Sequence, residues 1–222
     1  MKLVSKVCRG LLVLLLAGLI SNALSGDAGQ DSSGKGYKIG DRLTPAAGGA
    51  SGATGPYRKL NWDELMPADW NPMKALKELD LANLQDSDPR AREALEKVRV
   101  AWNDAPVVSE LNGVRVEIPG FVVPLDTDPN RIKEFLLVPY FGACIHVPPP
   151  PSNQVLHVLV PKKLARDQQV ALKNAVRLYG TISVSGILET VSVNTAMGFS
   201  GYRIKADAIN AYKAPVNGGA AR

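Results

Sequence analysis

Apolar positions recur at helical spacing up to about residue 105 and at strand spacing beyond it, so two kinds of element follow one another along the chain. Asn71-Pro72 has the form of an N-cap followed by proline at the first helical position. Met73, Leu76 and Leu79 continue at helical spacing and predict a short helix. Asp88-Pro89 repeats the start signal. Ala91, Ala94, Leu95, Val98 and Trp102 then mark one face and Arg90, Arg92, Glu93, Glu96 and Lys97 the other, predicting a second helix that ends near Asn103, ahead of Pro106. Beyond it, Val107 to Leu111 and Val114 to Ile118 flank Asn112-Gly113, the dipeptide suited to a type I′ hairpin turn. Phe121 to Leu125 and Glu134 to Val138 read as strands around a turn at Asp126 to Asn130, and Gln154 to Val160 as another. A helix is expected around Asp167 to Ala175, then strands over Tyr179 to Val191 and Tyr202 to Tyr212, with Gly186 marking a bulge or corner.

This order predicts an α+β domain over residues 57–213, with a helical cap (57–105) packed on a small antiparallel OB-like β-barrel (106–213). A β-sandwich is the alternative. Leu60, Trp62, Leu65, Met66 and Trp70 crowd the start of the cap, and Trp62, Trp70 and Trp102 are expected to join it to the barrel. Residues 26–56 are dominated by Gly, Ser, Ala and Asp and read as a flexible tether; residues 214–222 read as a disordered tail.

Composition and charge narrow the function classes. Lys2, Lys6 and Arg9 precede the apolar run Leu11 to Ile20, and Ala23-Leu24-Ser25 gives a small-x-small site, so residues 1–25 read as a signal peptide cleaved after Ser25. The apolar run is too short for a comfortable membrane span, and no lipobox cysteine follows it. The expected product is a soluble periplasmic protein without lipid anchor or stable membrane insertion. Losing three basic residues lowers the formal charge from +5 to +2, too weak a bias to argue for nucleic acid. No repeat, Walker loop, dinucleotide fingerprint or Gly-x-Ser-x-Gly elbow occurs.

The chemistry-bearing stretch runs from Phe141 to Gln154. Cleavage removes Cys8 and leaves Cys144 as a lone exported thiol, expected to be buried, metal-bound or open to an intermolecular partner. If the chain is extended there, Cys144 and His146 leave one face of a strand, and a thiolate beside an imidazole suits zinc first and copper second. His157, in the next strand, is the expected third ligand; Asp126, Asp128 and Glu134 are carboxylates within sequence reach, and Met197 matters for copper alone. The bland alternative is a small buried cysteine and a satisfied histidine. A Cys-His nucleophile would need an orienting group and an oxyanion hole, neither of which the sequence names, so the balance is against an enzyme. Pro148, Pro149, Pro150 and Pro151 are expected to form a stiff, exposed polyproline ridge, held by Asn153 and Gln154 and able to serve as an interaction surface.

The segments Asn61-Trp62-Asp63-Glu64-Leu65-Met66-Pro67, Asp69-Trp70-Asn71-Pro72, Asp86-Ser87-Asp88-Pro89-Arg90-Ala91, Pro119-Gly120-Phe121-Val122-Val123-Pro124-Leu125 and the run from Glu134 through Cys144-Ile145-His146 to Pro151 together resemble a bacterial envelope family catalogued as domain of unknown function 3299. The likeness runs from about Tyr57 to Tyr212. It implies an exported protein, with some members lipid-anchored and some encoded beside ABC-transporter components linked to zinc uptake. Three readings follow: a transport accessory protein binding zinc through Cys144 and His146; a non-catalytic interaction module of the envelope with a structural cysteine; and a thiol-based redox or catalytic protein.

Overall fold

The computed structural model describes residues 36–43, 56–77, 89–125, 128, 132–144 and 149–213. The cap forms largely where the helical spacing put it. Helix α1 spans Pro72–Lys77, and the Met73 N–H donates to Asn71 Oδ1 at 2.8 Å, the N-cap bond that the Asn-Pro pair predicts. Leu79 lies outside the described residues. Helix α2 spans Pro89–Asn103 and buries Ala91, Ala94 and Val98. Trp102 Nε1–H donates to Pro72 O at 3.2 Å and ties the two helices together. Leu95 departs from expectation: it is 56% exposed, because small residues set the buried stripe and Leu95 lies to one side of it.

Six strands form one mixed sheet: β1 (Arg58–Lys59), β2 (Arg115–Pro124), β3 (Glu134–Val138), β4 (Leu156–Leu159), β5 (Thr181–Thr195) and β6 (Gly198–Ala211). Their order is β1-β2-β3-β4-β6-β5, and β5 pairs again with β2, so the pairings of five strands return to their start. Helix α3 (Arg166–Leu178) joins β4 to β5 and buries Leu172, Ala175 and Val176. The class is therefore α+β, mostly sheet. The sheet is not wholly antiparallel, however: β1 runs parallel to β2, and β4 runs parallel to β6.

The type I′ hairpin at Asn112-Gly113 does not form. Ser109–Leu111 make a 3-10 turn, and Asn112 keeps φ −66° where a type I′ turn needs a positive value. Gly113 alone turns left-handed, at φ +81°. Both residues instead bind β5 and its surroundings: the Gly113 N–H donates to Leu188 O at 2.7 Å, and Asn112 Oδ1 accepts from the Thr190 N–H at 3.0 Å. The two strands expected over Val114 to Leu125 merge into β2, which pairs with β5 along Arg115 to Phe121 and with β3 along Phe121 to Pro124. The turn at Asp126 to Asn130 lies almost wholly outside the described residues. At Gly186 the register with β6 shifts as expected, and an added Cβ would stand 2.2 Å from Lys205 O.

Alternation within the strands divides the core in two. Val116, Ile118, Val122, Phe135, Leu137, Leu156, Val158, Ile204 and Ile209 share one cluster with Leu60, Trp62 and Leu65 of the cap. Phe121, Val123, Leu136 and Val138 point the other way and form a second cluster with Phe141, Ala143, Val155 and Tyr212. Tyr37 and Leu43 complete that second cluster, so part of the stretch read as a flexible tether is packed on the sheet.

Candidate functional site

The chain leaves β3 at Val138 and turns over Tyr140 to Cys144. The turn uses two left-handed residues, Gly142 at φ +84° and Cys144 at φ +64°. Cys144 is therefore not on an extended strand, and the alternation that would align it with His146 does not operate at its position. His146, with Ile145, Val147 and Pro148, lies outside the described residues. The thiol packs against the second cluster, and burial pushes it from an ordinary value of 9.0 up to about 11. That favours an uncharged side chain at neutral pH and opposes both nucleophilic and redox chemistry.

His157 lies on β4, 4% exposed, opposite Leu136 and Arg203. Its Nε2 is 2.9 Å from Glu134 Oε2, and Arg203 Nε–H donates to Nδ1 at 3.4 Å. The neutral ring with its proton on Nε2 satisfies both partners. Glu134 thus does approach a histidine, as its sequence position allowed, but with Arg203 it engages both nitrogens that a metal would use. Among the described residues no three His, Cys, Asp or Glu side chains come together as a metal-holding group.

The proline run is less exposed than expected. Pro149 is exposed, but Pro150 and Pro151 are buried, because the chain turns inward through the 3-10 turn Ser152–Gln154. Asn153 and Gln154 are 0% and 3% exposed. Asn153 Nδ2–H donates to Pro106 O and Gln154 Nε2–H to Trp62 O, both at 2.8 Å. They hold the cap rather than the ridge. Tyr202 reinforces the same junction from β6: its hydroxyl donates to Leu65 O at 2.9 Å and accepts from the Val108 N–H at 2.6 Å.

Exposed Pro149 and buried Pro150 meet the tip of the β5–β6 hairpin, and α2 closes the third side. The result is a groove of about 620 Å³. Leu95, Val98 and Trp102 of α2 face Met197 and Phe199 across it, with Arg99, Asn103 and Thr195 as its polar groups. Arg99 is ion-paired with the exposed Glu96. The volume, the apolar walls and the few polar groups are those of ligand and peptide sites in general. The sequence points to the proline run and, separately, to Met197, but not to Leu95, Arg99 or Phe199 as parts of one site. The signal for α2 was its unusually small buried stripe, which leaves Leu95 without a core role. A smaller cleft of about 330 Å³, lined by Lys59, Glu117, Ser183 and Lys213 among others, opens near the start of β5. Its carboxylate already accepts from Ser183 Oγ–H at 3.0 Å.

Fold and site together describe an α+β domain with an apolar groove between α2 and the β5–β6 tip. A family model described as a protein of unknown function (DUF3299) matches residues 62–211, and the chain belongs to that family. A comparison with curated proteins found no match. Among solved structures, the chain is similar to a DUF3299 family protein from Pseudomonas aeruginosa PAO1, whose crystal structure is at 2.45 Å resolution. Identity is 34%, the match covers 72% of this chain and 98% of that one, and the TM-score is 0.49.

Proposed function

We propose that this chain is a non-catalytic interaction module of the bacterial envelope, exported to the periplasm, which captures an apolar segment of a partner protein in the groove between α2, Pro149-Pro150 and the β5–β6 tip. One observation carries the reading: the proline run and the tip of the β5–β6 hairpin, remote in sequence, line a single groove with an exposed leucine and a tryptophan. The finer fold reading agrees with it. Five strands in the order β2-β3-β4-β6-β5, returning to β2, with a parallel β4–β6 pair and α3 between β4 and β5, support reading the sheet as OB-like. Such barrels bind through the loop joining their last two strands, among others, and here that loop is the groove's Thr195 to Gly198 wall.

A photo-crosslinking residue at Leu95, in cells, should capture one envelope protein, with ABC-transporter components as the first candidates, and Trp102→Ala in the same chain should abolish the adduct. The same adduct from exposed Arg166, or an adduct indifferent to Trp102→Ala, would overturn the reading.

Zinc binding in a transport accessory protein is the second reading, resting on Cys144 and His146 as a soft donor and an imidazole two residues apart, with copper as the softer alternative. It expects one zinc per chain in tag-free protein, lost in the Cys144→Ser, His146→Ala double variant. Unchanged affinity in that variant would remove it.

A further inference from the structure

The second cluster is closed by a segment that the family model does not include. Residues 36–43 precede the matched region 62–211, yet Tyr37 and Leu43 are 6% and 8% exposed. The Tyr37 ring stands edge-on to Phe121 at 4.9 Å and lies 6.4 Å from Phe141. Two backbone bonds fix the segment beside the turn after β3: Gly40 N–H to Phe141 O and Phe141 N–H to Asp41 O, each 2.9 Å. Between its two anchors the strap makes its own turn, with Lys38 N–H donating to Asp41 Oδ2 at 2.9 Å and Gly40 left-handed at φ +91°. An exposed pair between Arg42 and Asp63 at 3.8 Å also reaches the cap and contributes little.

Beneath the strap is an aromatic and aliphatic sheet face, Phe121, Val123, Leu136, Val138 and Phe141, that belongs to the matched domain. A bare face of this kind marks an interaction site. The strap identifies what the face accepts: an aromatic anchor, a tight turn and an aliphatic anchor six residues on. The sequence on both sides of the strap is rich in Gly, Ser and Ala, a composition suited to letting such a segment leave and return. We propose that this face is a peptide-docking surface occupied in cis by the strap, and that its external ligand is a partner segment of the same aromatic, turn and aliphatic chemistry. Attachment gives the strap an effective concentration of order millimolar, so a partner engages when the strap is drawn away.

The test uses a labelled synthetic peptide spanning residues 34–45 as the probe. Full-length Tyr37→Ser, Leu43→Ser protein should bind it one to one, the wild type at least tenfold more weakly, and a peptide carrying Tyr37→Ala should bind the variant at least tenfold more weakly. No binding to a folded variant, or equal binding to variant and wild type, overturns the proposal. Should the variant fail to fold, a protease site inserted between residues 48 and 49 replaces it. After cleavage the strap should dissociate on dilution and be recaptured by added peptide, whereas permanent retention would make it an integral part of the fold. A wild-type dimer with exchanged straps would assign the face to a second copy of this chain and overturn the partner reading.

Discussion

Gln154 shows how much a single buried side chain decides in this molecule. Its amide donates to Trp62 O at the junction of cap and sheet, and Asn153 beside it donates to Pro106 O. The bond to the Trp62 carbonyl is buried, so Gln154→Ala should destabilise the protein by about 1–3 kcal/mol in urea unfolding, the cost of an unpaired buried acceptor plus the space left behind. Among the described residues no hydrogen-bond donor reaches the amide oxygen of either side chain. Cys144 yields a prediction of a different kind. Because burial raises its thiol, the folded state holds the proton between pH 9 and about 11 while the unfolded state releases it. Stability from this group is complete below pH 9 and is lost as pH rises to 11. Wild type should therefore lose more stability than Cys144→Ser across that window, and thiol labelling of the native protein should stay slow until its upper end. A steep rise in labelling near neutral pH would instead reveal a thiolate and revive the redox reading.

At the scale of elements, the β5–β6 hairpin and α2 divide the work of stability and recognition. Gly186 permits the bulge that lets β5 follow β6 around the sheet, and a methyl group there would strike the Lys205 carbonyl, a backbone atom with no room to yield. Gly186→Ala should cost about 3 kcal/mol, at the upper end for overpacking, and lower the melting temperature accordingly. Leu95→Asp is the opposite case. At 56% exposure Leu95 contributes little to the core, so stability should change by less than about 0.5 kcal/mol while groove capture is lost. The same elements show what was legible in the sequence. Helices α2 and α3 and strands β3 and β6 follow from spacing and capping, because each has a local signal strong enough to survive packing. The Asn112-Gly113 turn misled for the opposite reason: the dipeptide permits a type I′ hairpin, but long-range bonds to Leu188 and Thr190 hold Asn112 at negative φ. The inward turn of Pro150 and Pro151 was likewise invisible, since it depends on Asn153 and Gln154 finding carbonyls 47 and 92 residues away.

On the scale of the whole molecule, the sheet closes where β4 meets β6 in parallel, and Ser200 sits at that seam. The His157 N–H donates to Ser200 Oγ at 3.1 Å and the hydroxyl donates to Val155 O at 2.6 Å, both fully buried. Ser200→Ala should cost about 1–3 kcal/mol in urea unfolding, because it leaves buried backbone groups of the seam without their partner. The groove and the strap-covered face meet at Met197, which lines the first and packs against the second cluster. Strap and groove could not be read from the sequence because both arise where remote segments meet. The parallel seam carries one more consequence, for a chain that is made amino end first. Leu136 and Leu137 come out some sixty residues ahead of the β6 strand that completes the sheet. Throughout that interval the apolar β3 strand has no finished structure to enter, so the pairing that closes the sheet is long-range and slow, and the strand stays open to association with other chains until β6 arrives.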